Sequence, residues 1–221
     1  MGPVTMGPRV PSSEIIVSVM LNKGYIHLLL IVLFGVVIPH SATAQRSPAD
    51  VRTLLEKRDG EIKALLGDKE TFTDAQREAL KKVINDGIDF AAMGRHALGK
   101  YWNDLTDSQR SDFVSVFSDI VRAQSLSNLA AYRAKVAYKK IDVDGDTAHV
   151  LTTTLYKKVE MKVAYVLGFH GAQWWVDDIV LDEVSTADGY ARSFQALIRK
   201  KGFDTLMDRL HKRRDRIKKS S

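Results

Sequence analysis

The chain has 221 residues, a formal net charge of +6, 45% hydrophobic and 27% charged residues, and no cysteine. That is enough for one ordinary folded domain or two small ones, and it excludes a chain disordered by composition. The lack of cysteine excludes disulfides, thiolate metal centres and a cysteine nucleophile, but not an oxidising compartment, because a core of this size needs no covalent staple.

Residues 26–38 are almost wholly apolar, from Ile26 through Leu28–Phe34 to Val36, Val37 and Ile38. Lys23 precedes the run, Pro39 breaks it, and Ala42-Thr43-Ala44 follows. A positive flank, a short apolar core and small residues two apart read as a secretory signal peptide cleaved after Ala44. The run falls short of the ~20 residues of a membrane-spanning helix. Met20 offers an alternative start and gives a compact signal. Residues 45–221 then form the mature domain.

The first half of that domain reads as helices. Ser47-Pro48-Ala49-Asp50 combines a hydroxyl cap, proline at the first helical position and an early acid. Val51, Leu54, Leu55, Ile62, Leu65 and Leu66 mark one face of the helix that follows. Thr73-Asp74-Ala75-Gln76 is a capping box ahead of Leu80, Val83 and Ile84. A short helix from Asp89 carries Phe90, Met93, Ala97 and Leu98 and ends at Gly99. Thr106-Asp107-Ser108-Gln109 opens the longest predicted helix, with Phe113, Val116, Phe117, Ile120, Val121 and Leu129 on its apolar side.

The second half changes period. Val136 and Tyr138 alternate with polar residues, and Ile141 and Val143 resume out of phase, which implies a bulge. Asp144-Gly145 is a hairpin turn. Ala148–Tyr156 is a threonine-rich strand, and Met161, Val163, Tyr165, Leu167 and Phe169 alternate cleanly. Gly171 leads into a strand through Trp175 and Leu181. Four strands on short links form an antiparallel sheet, and helices on either side in sequence make the class α+β. Two further helices follow, separated at Gly202.

Three segments, taken together, resemble the MlaC family, also called toluene-tolerance proteins. Phe90-Ala91-Ala92-Met93-Gly94-Arg95-His96-Ala97-Leu98-Gly99-Lys100-Tyr101-Trp102 is similar to the family's Phe-x-x-Met-x-Arg-x-Ala-Leu-Gly-x-x-Trp segment. Thr106, Gln109, Arg110 and Phe113 match its next helix start. The order from Trp174 through Val184-Ser185, Tyr190, Phe194 and Gly202-Phe203-Asp204 looks like its C-terminal part. Ala191 stands where the family commonly has arginine, with Arg192 one later, and Val166-Leu167 replaces a more polar strand end. The resemblance spans about Ser47 to Leu210. It implies a monomeric periplasmic phospholipid carrier working between an inner-membrane ABC transporter complex and an outer-membrane lipoprotein complex, with transient membrane proximity, so as to maintain outer-membrane lipid asymmetry. A hopanoid-handling relative, a protein-binding adaptor and a hydrolase with a cryptic site are the alternatives, in that order.

Catalytic and metal signatures are absent from the sequence pattern. No two of His96, His149, His170 and His211 sit at a metal-ligand spacing, so no metal or other cofactor is expected. Asp177 and Asp178 are strand neighbours, which predicts opposite faces and no converging carboxylate pair. The basic end, Arg209 to Lys219, reads as a solvated helix or as a contact for anionic headgroups. Export and the lack of interleaved aromatics disfavour nucleic acid.

A lipid carrier needs apolar side chains facing a gap between sheet and helices, and a polar mouth. The candidates for the lining are Met93, Val116, Ile120, Val121, Met161, Val163, Tyr165, Leu167, Ile179, Leu181 and Phe194. Trp175 and Tyr190, each with a polar tip on an apolar body, are candidates for the mouth. Arg95 and Arg192 are candidates for headgroup or partner contact.

Overall fold

The structure, a computed structural model, describes residues 46–220. The apolar run at 26–38 and the expected cleavage point lie outside them.

Local capping sets the helix boundaries. Helix α1, Pro48–Leu66, starts where the Ser47 hydroxyl accepts from the Asp50 N–H at 3.2 Å and the Asp50 carboxylate accepts from the Ser47 N–H at 3.1 Å. Helices α2 (Asp74–Asn85) and α4 (Asp107–Ser125) open on the same reciprocal arrangement at Thr73 and Thr106. Helix α3 (Phe90–Leu98) is capped by Asp89 and closes at Gly99, and α5 (Thr186–Lys201) closes at Gly202, both glycines at positive φ. Helix α6 covers Phe203–Ser220. Two expectations shift: α1 and α4 are both 19 residues long, and α4 ends before Leu129, which sits in a separate 3₁₀ turn, Leu129–Arg133. Leu65 lies off the buried face of α1 at 37% exposure.

The sheet has five strands in sequential antiparallel order: β1 Val136–Asp144, β2 Thr147–Tyr156, β3 Val159–His170, β4 Gln173–Leu181 and β5 Val184–Ser185. The fifth strand, two residues long, is too short to show a period in sequence. The bulge expected in β1 is present between Tyr138 and Lys140. A second bulge in β4 pairs Leu167 with Val176 and Val166 with Asp178, leaving Asp177 unmatched. Val176 and Ile179 therefore share one face with two aspartates between them, so simple alternation across Asp177-Asp178 fails. The two carboxylates still do not converge. Asp178 turns to the start of α5, accepting from the N–H groups of Ile179 (2.8 Å) and Ala187 (2.9 Å) and from the Ser185 hydroxyl (2.5 Å).

The outer edge of β4 is paired at two places. Its first half pairs with residues 87–89, through Asp89 N–H to Val176 C=O at 2.9 Å and Val176 N–H to Gly87 C=O at 2.7 Å. Its second half pairs with β5. Covering the edge in this way removes a site for unwanted strand addition.

Most of the buried apolar side chains among the described residues fall into three clusters. One lies among the helices, joining Met93 and Leu98 of α3, Phe113, Val116, Phe117 and Ile120 of α4, Phe194 and Ile198 of α5, and Leu206 and Leu210 of α6. The second joins Val51 of α1 to Ala148, Val150, Leu167, Trp174 and Val176 of the sheet. The third joins Ile62 and Leu66 of α1 to Leu80 of α2 and Leu129. Among the described residues, no helix is long and apolar enough to cross a membrane.

Candidate functional site

Strand register defines the site. The inner face, the one packed on α1, carries Tyr138, Ile141 and Val143 from β1 and Ala148, Val150, Thr152 and Thr154 from β2. From β3 it carries Met161, Val163, Tyr165 and Leu167, and from β4 Val176, Ile179 and Leu181. All six strand residues expected to line a gap therefore share one face. Helix α1 covers only part of it, through Val51, Leu54 and Leu55. Coverage thins along the strands. Val150 and Leu167 are buried; Met161 and Val163 are half-buried and belong to none of the three clusters; Leu181, Val184 and Val159 reach 45%, 58% and 61% exposure.

Beside these exposed residues the face is buried but not uniformly apolar. The Thr152 hydroxyl donates to the Val163 carbonyl at 2.8 Å, while the neighbouring Thr154 hydroxyl is buried with no hydrogen-bond partner. Three tyrosines gather nearby with Asp59 of α1. Burial pushes the Tyr165 phenol upward, and Tyr138, Tyr132 and Asp59 add to the shift. The Tyr138 phenol is pushed up to about 12 by burial and by Asp59 and Glu56, against the opposing effect of Arg52. Tyr132 is also raised by burial, and its hydroxyl donates to the Ser125 carbonyl at 3.2 Å. Asp59 is held by Lys63 at 2.7 Å. The arrangement offers an apolar wall bordered by neutral hydroxyls and one acid–base pair, which suits a molecule with long hydrocarbon and a polar end. Sequence reading singled out Tyr165 but missed Thr152, Thr154, Tyr132 and Tyr138 as site residues. The register between β2 and β3 was the signal for the threonines, because each sits opposite an expected lining residue.

The helical candidates are placed differently. Met93, Val116, Ile120 and Phe194 are buried in the inter-helix cluster, with Val121 packed on its margin. Among the described residues, no strand residue belongs to that cluster, and Ile88 alone is packed against both it and the sheet cluster. These five residues and the strand residues thus do not form one lining.

The four mouth candidates are not brought together. Trp175 lies at the opposite end of β4 from Leu181, its ring stacked on His170 with centroids 5.7 Å apart. Tyr190 packs edge-on to Phe117, and its hydroxyl donates to Gln124 at 2.5 Å. Arg95 lies over the Trp102 ring at 5.6 Å. Arg192 borders a shallow depression of about 370 Å³ on α5, with Asp188, Gln195 and Arg199. Adjacent positions in a helix or strand cannot reveal which end of the fold a side chain reaches.

A family model described as MlaC protein matches residues 56–212. Seven chains of solved structure match. One is the phospholipid-binding protein from Ralstonia solanacearum, solved in complex with a phospholipid. It is 21% identical, the match covers 78% of this chain and 99% of that one, and the TM-score is 0.65. At that identity the likeness speaks for the fold. No curated protein sequence matches the chain.

Proposed function

The chain belongs to the MlaC family, and we propose that it is a periplasmic carrier that holds a phospholipid against the half of its sheet left uncovered by α1. The observation that carries this reading is the inner-face row Met161, Val163 and Leu181, apolar, register-aligned with the rest of the face and packed into no core cluster. The buried hydroxyls of Thr154 and Tyr165 border that row and are the polar groups nearest it for the ester or headgroup end. Membership of the family and likeness to a phospholipid-binding protein of known structure support the ligand class.

The energetics fit a carrier. Two acyl chains carry roughly thirty methylenes at about 0.8 kcal/mol each against water. That gross figure exceeds the practical ceiling of about 18–21 kcal/mol for non-covalent binding. The relevant reference is therefore a bilayer, in which the chains are already dry, and exchange between bilayer and protein is near balance. Release into water is prohibitive, so loading and unloading take place at partner complexes: an inner-membrane ABC transporter and an outer-membrane lipoprotein, in the traffic that keeps the outer membrane asymmetric. Export by the segment ending at Ala44 brings the carrier to that compartment, and its work is binding rather than catalysis.

Native and denaturing mass spectrometry of the protein purified from a bacterial periplasm without detergent tests this reading. A stoichiometric adduct that extracts as phospholipid is expected, and its mass counts the acyl chains. A hopanoid-sized adduct reassigns the ligand within the family. An empty protein that also fails to take labelled phospholipid from vesicles overturns the carrier reading in favour of an adaptor.

A further inference from the structure

On the other side of β4, away from the uncovered half-face, three side chains from three elements meet. Asp89 caps α3, His170 ends β3, and Asp177 is the bulged residue of β4. One ligand-type atom from each lies within 4.8 Å of the other two. From this geometry we propose that Asp89, His170 and Asp177 form a binding site for a divalent first-row cation of the zinc class.

Each donor is held in place by its surroundings. The Asp89 backbone is paired to β4, and its carboxylate accepts from the Ala92 N–H at 2.8 Å and faces His170 Nε2 at 2.9 Å. The His170 ring is stacked on Trp175 at an interplanar angle of 10°, and Trp175 Nε1–H donates to the His170 carbonyl at 3.2 Å. Asp177 lies over Gly168, where its carboxylate occupies the space a Cβ would take; the nearest oxygen is 2.6 Å from that position. The ring stacking and the backbone pairing restrict where the imidazole and the Asp89 carboxylate point, the part that outer groups play around bound metals.

The second observation is an unmet demand. Asp177 is half-buried, and its enclosed Oδ1 has no hydrogen-bond partner among the protein groups around it, a demand that water or an ion would meet. The imidazole is paired with Asp89, and Asp177 lies beside both. A cation between the three residues would neutralise both acids. One nitrogen and two oxygens suit a borderline ion, and tetrahedral zinc with bonds of about 2.0–2.2 Å leaves its fourth position to water. Donor atoms would then sit about 3.3 Å apart, so closing onto the ion needs movements of no more than about 1.5 Å. The ion would pin the start of α3 to the sheet at its second bulge. The sequence concealed the site because its three members lie at positions 89, 170 and 177, with no local spacing to read.

Titration of the EDTA-stripped protein with ZnCl2 by calorimetry tests the proposal. Saturable binding of one ion per chain is expected, together with a rise in Tm. His170→Gln and Asp177→Asn should each weaken binding at least tenfold, the range seen when ligands or their supports are removed. His170 is 54% exposed, so its substitution leaves folding intact, as far-UV circular dichroism would verify. His96→Gln, which breaks a separate pair with Asp188, should leave binding unchanged. No saturable binding by the parent protein, or affinity retained in either His170→Gln or Asp177→Asn, overturns the three-ligand site.

Discussion

Val150 and Val163 are the same residue type on the same sheet face, one ladder row apart, and a charge placed at each should have opposite consequences. Val150 is 1% exposed and enclosed by Val51, Leu167 and Val176. Val163 is half-buried, opposite Thr152 on one side and the 45% exposed Leu181 on the other, and belongs to no cluster. An uncompensated buried charge costs about 3–5 kcal/mol, so Val150→Asp should remove much of the stability of a domain this size. Val163→Asp can turn its carboxylate toward water and should cost about 1 kcal/mol in lipid-free protein. With a urea m-value of about 1–3 kcal/mol/M, the first change lowers the midpoint by about one to five molar and the second by about a third of a molar to one molar. Lipid reverses the ranking of interest, because Val163→Asp should abolish uptake of labelled phospholipid from vesicles while the protein stays folded. Urea unfolding of delipidated protein, run beside the uptake assay, reads both quantities. If Val163→Asp loses as much lipid-free stability as Val150→Asp, or takes up lipid normally, the uncovered half-face is ordinary core and the reasoning fails.

A paired glycine test asks when packing outweighs helix propensity. Gly60→Ala in α1 meets nothing within 4 Å and should stabilise by about 0.5–1 kcal/mol, whereas Gly94→Ala in α3 would place its methyl 2.9 Å from the Phe113 ring. That ring is fully buried and stacked on Phe117 at 5.5 Å, so overpacking of about 1–3 kcal/mol should exceed the propensity gain and lower the urea midpoint. Alkaline titration followed by tyrosinate absorbance and far-UV circular dichroism is expected to show Tyr132, Tyr138, Tyr165 and Tyr190 ionising above pH 10, because burial raises all four. A phenol whose folded pKa is raised contributes stability below the unfolded value of about 10, and that contribution is lost as pH rises through the folded value. For Tyr138 the window runs from the ordinary 10.0 to about 12. Ionisation of all four with an unchanged circular dichroism signal would contradict their burial.

Local features of the fold were legible, and features made by distance were not. Ser47, Thr73, Thr106 and Asp89 announce helix starts because a cap is a bond between residues three apart. The β1 bulge shows as a phase slip between Tyr138 and Ile141. The β4 bulge leaves the same slip between Val176 and Ile179, and that signal was passed over in favour of plain alternation. Leu129 continued the apolar spacing of α4 but belongs to a different cluster, since periodicity does not record where a helix stops packing. The candidate site was legible on the strands, where one register decides the face of Met161, Val163, Tyr165, Leu167, Ile179 and Leu181 together. It was not legible on the helices. Val116 and Ile120 carry the same apolar signal whether they face a sheet or other helices, and only the tertiary arrangement assigns them to the second.

That assignment bears on how such a domain can hold a removable ligand. The helices close a core of their own, with Phe113, Phe117 and Phe194 in mutual ring contact at 5.5–6.1 Å. The covered part of the sheet closes another under α1. Neither core depends on Met161, Val163 or Leu181. A ligand on that row can therefore come and go without exposing the side chains that stabilise the fold, and substitutions there can change binding while leaving unfolding almost untouched. Had the same residues been shared with the helix cluster, each release of lipid would have opened the core, and the lipid-free protein would be a partly unfolded one. Dividing the apolar residues among separate clusters, with one row left to none of them, would let one small chain be stable with and without a ligand on that row.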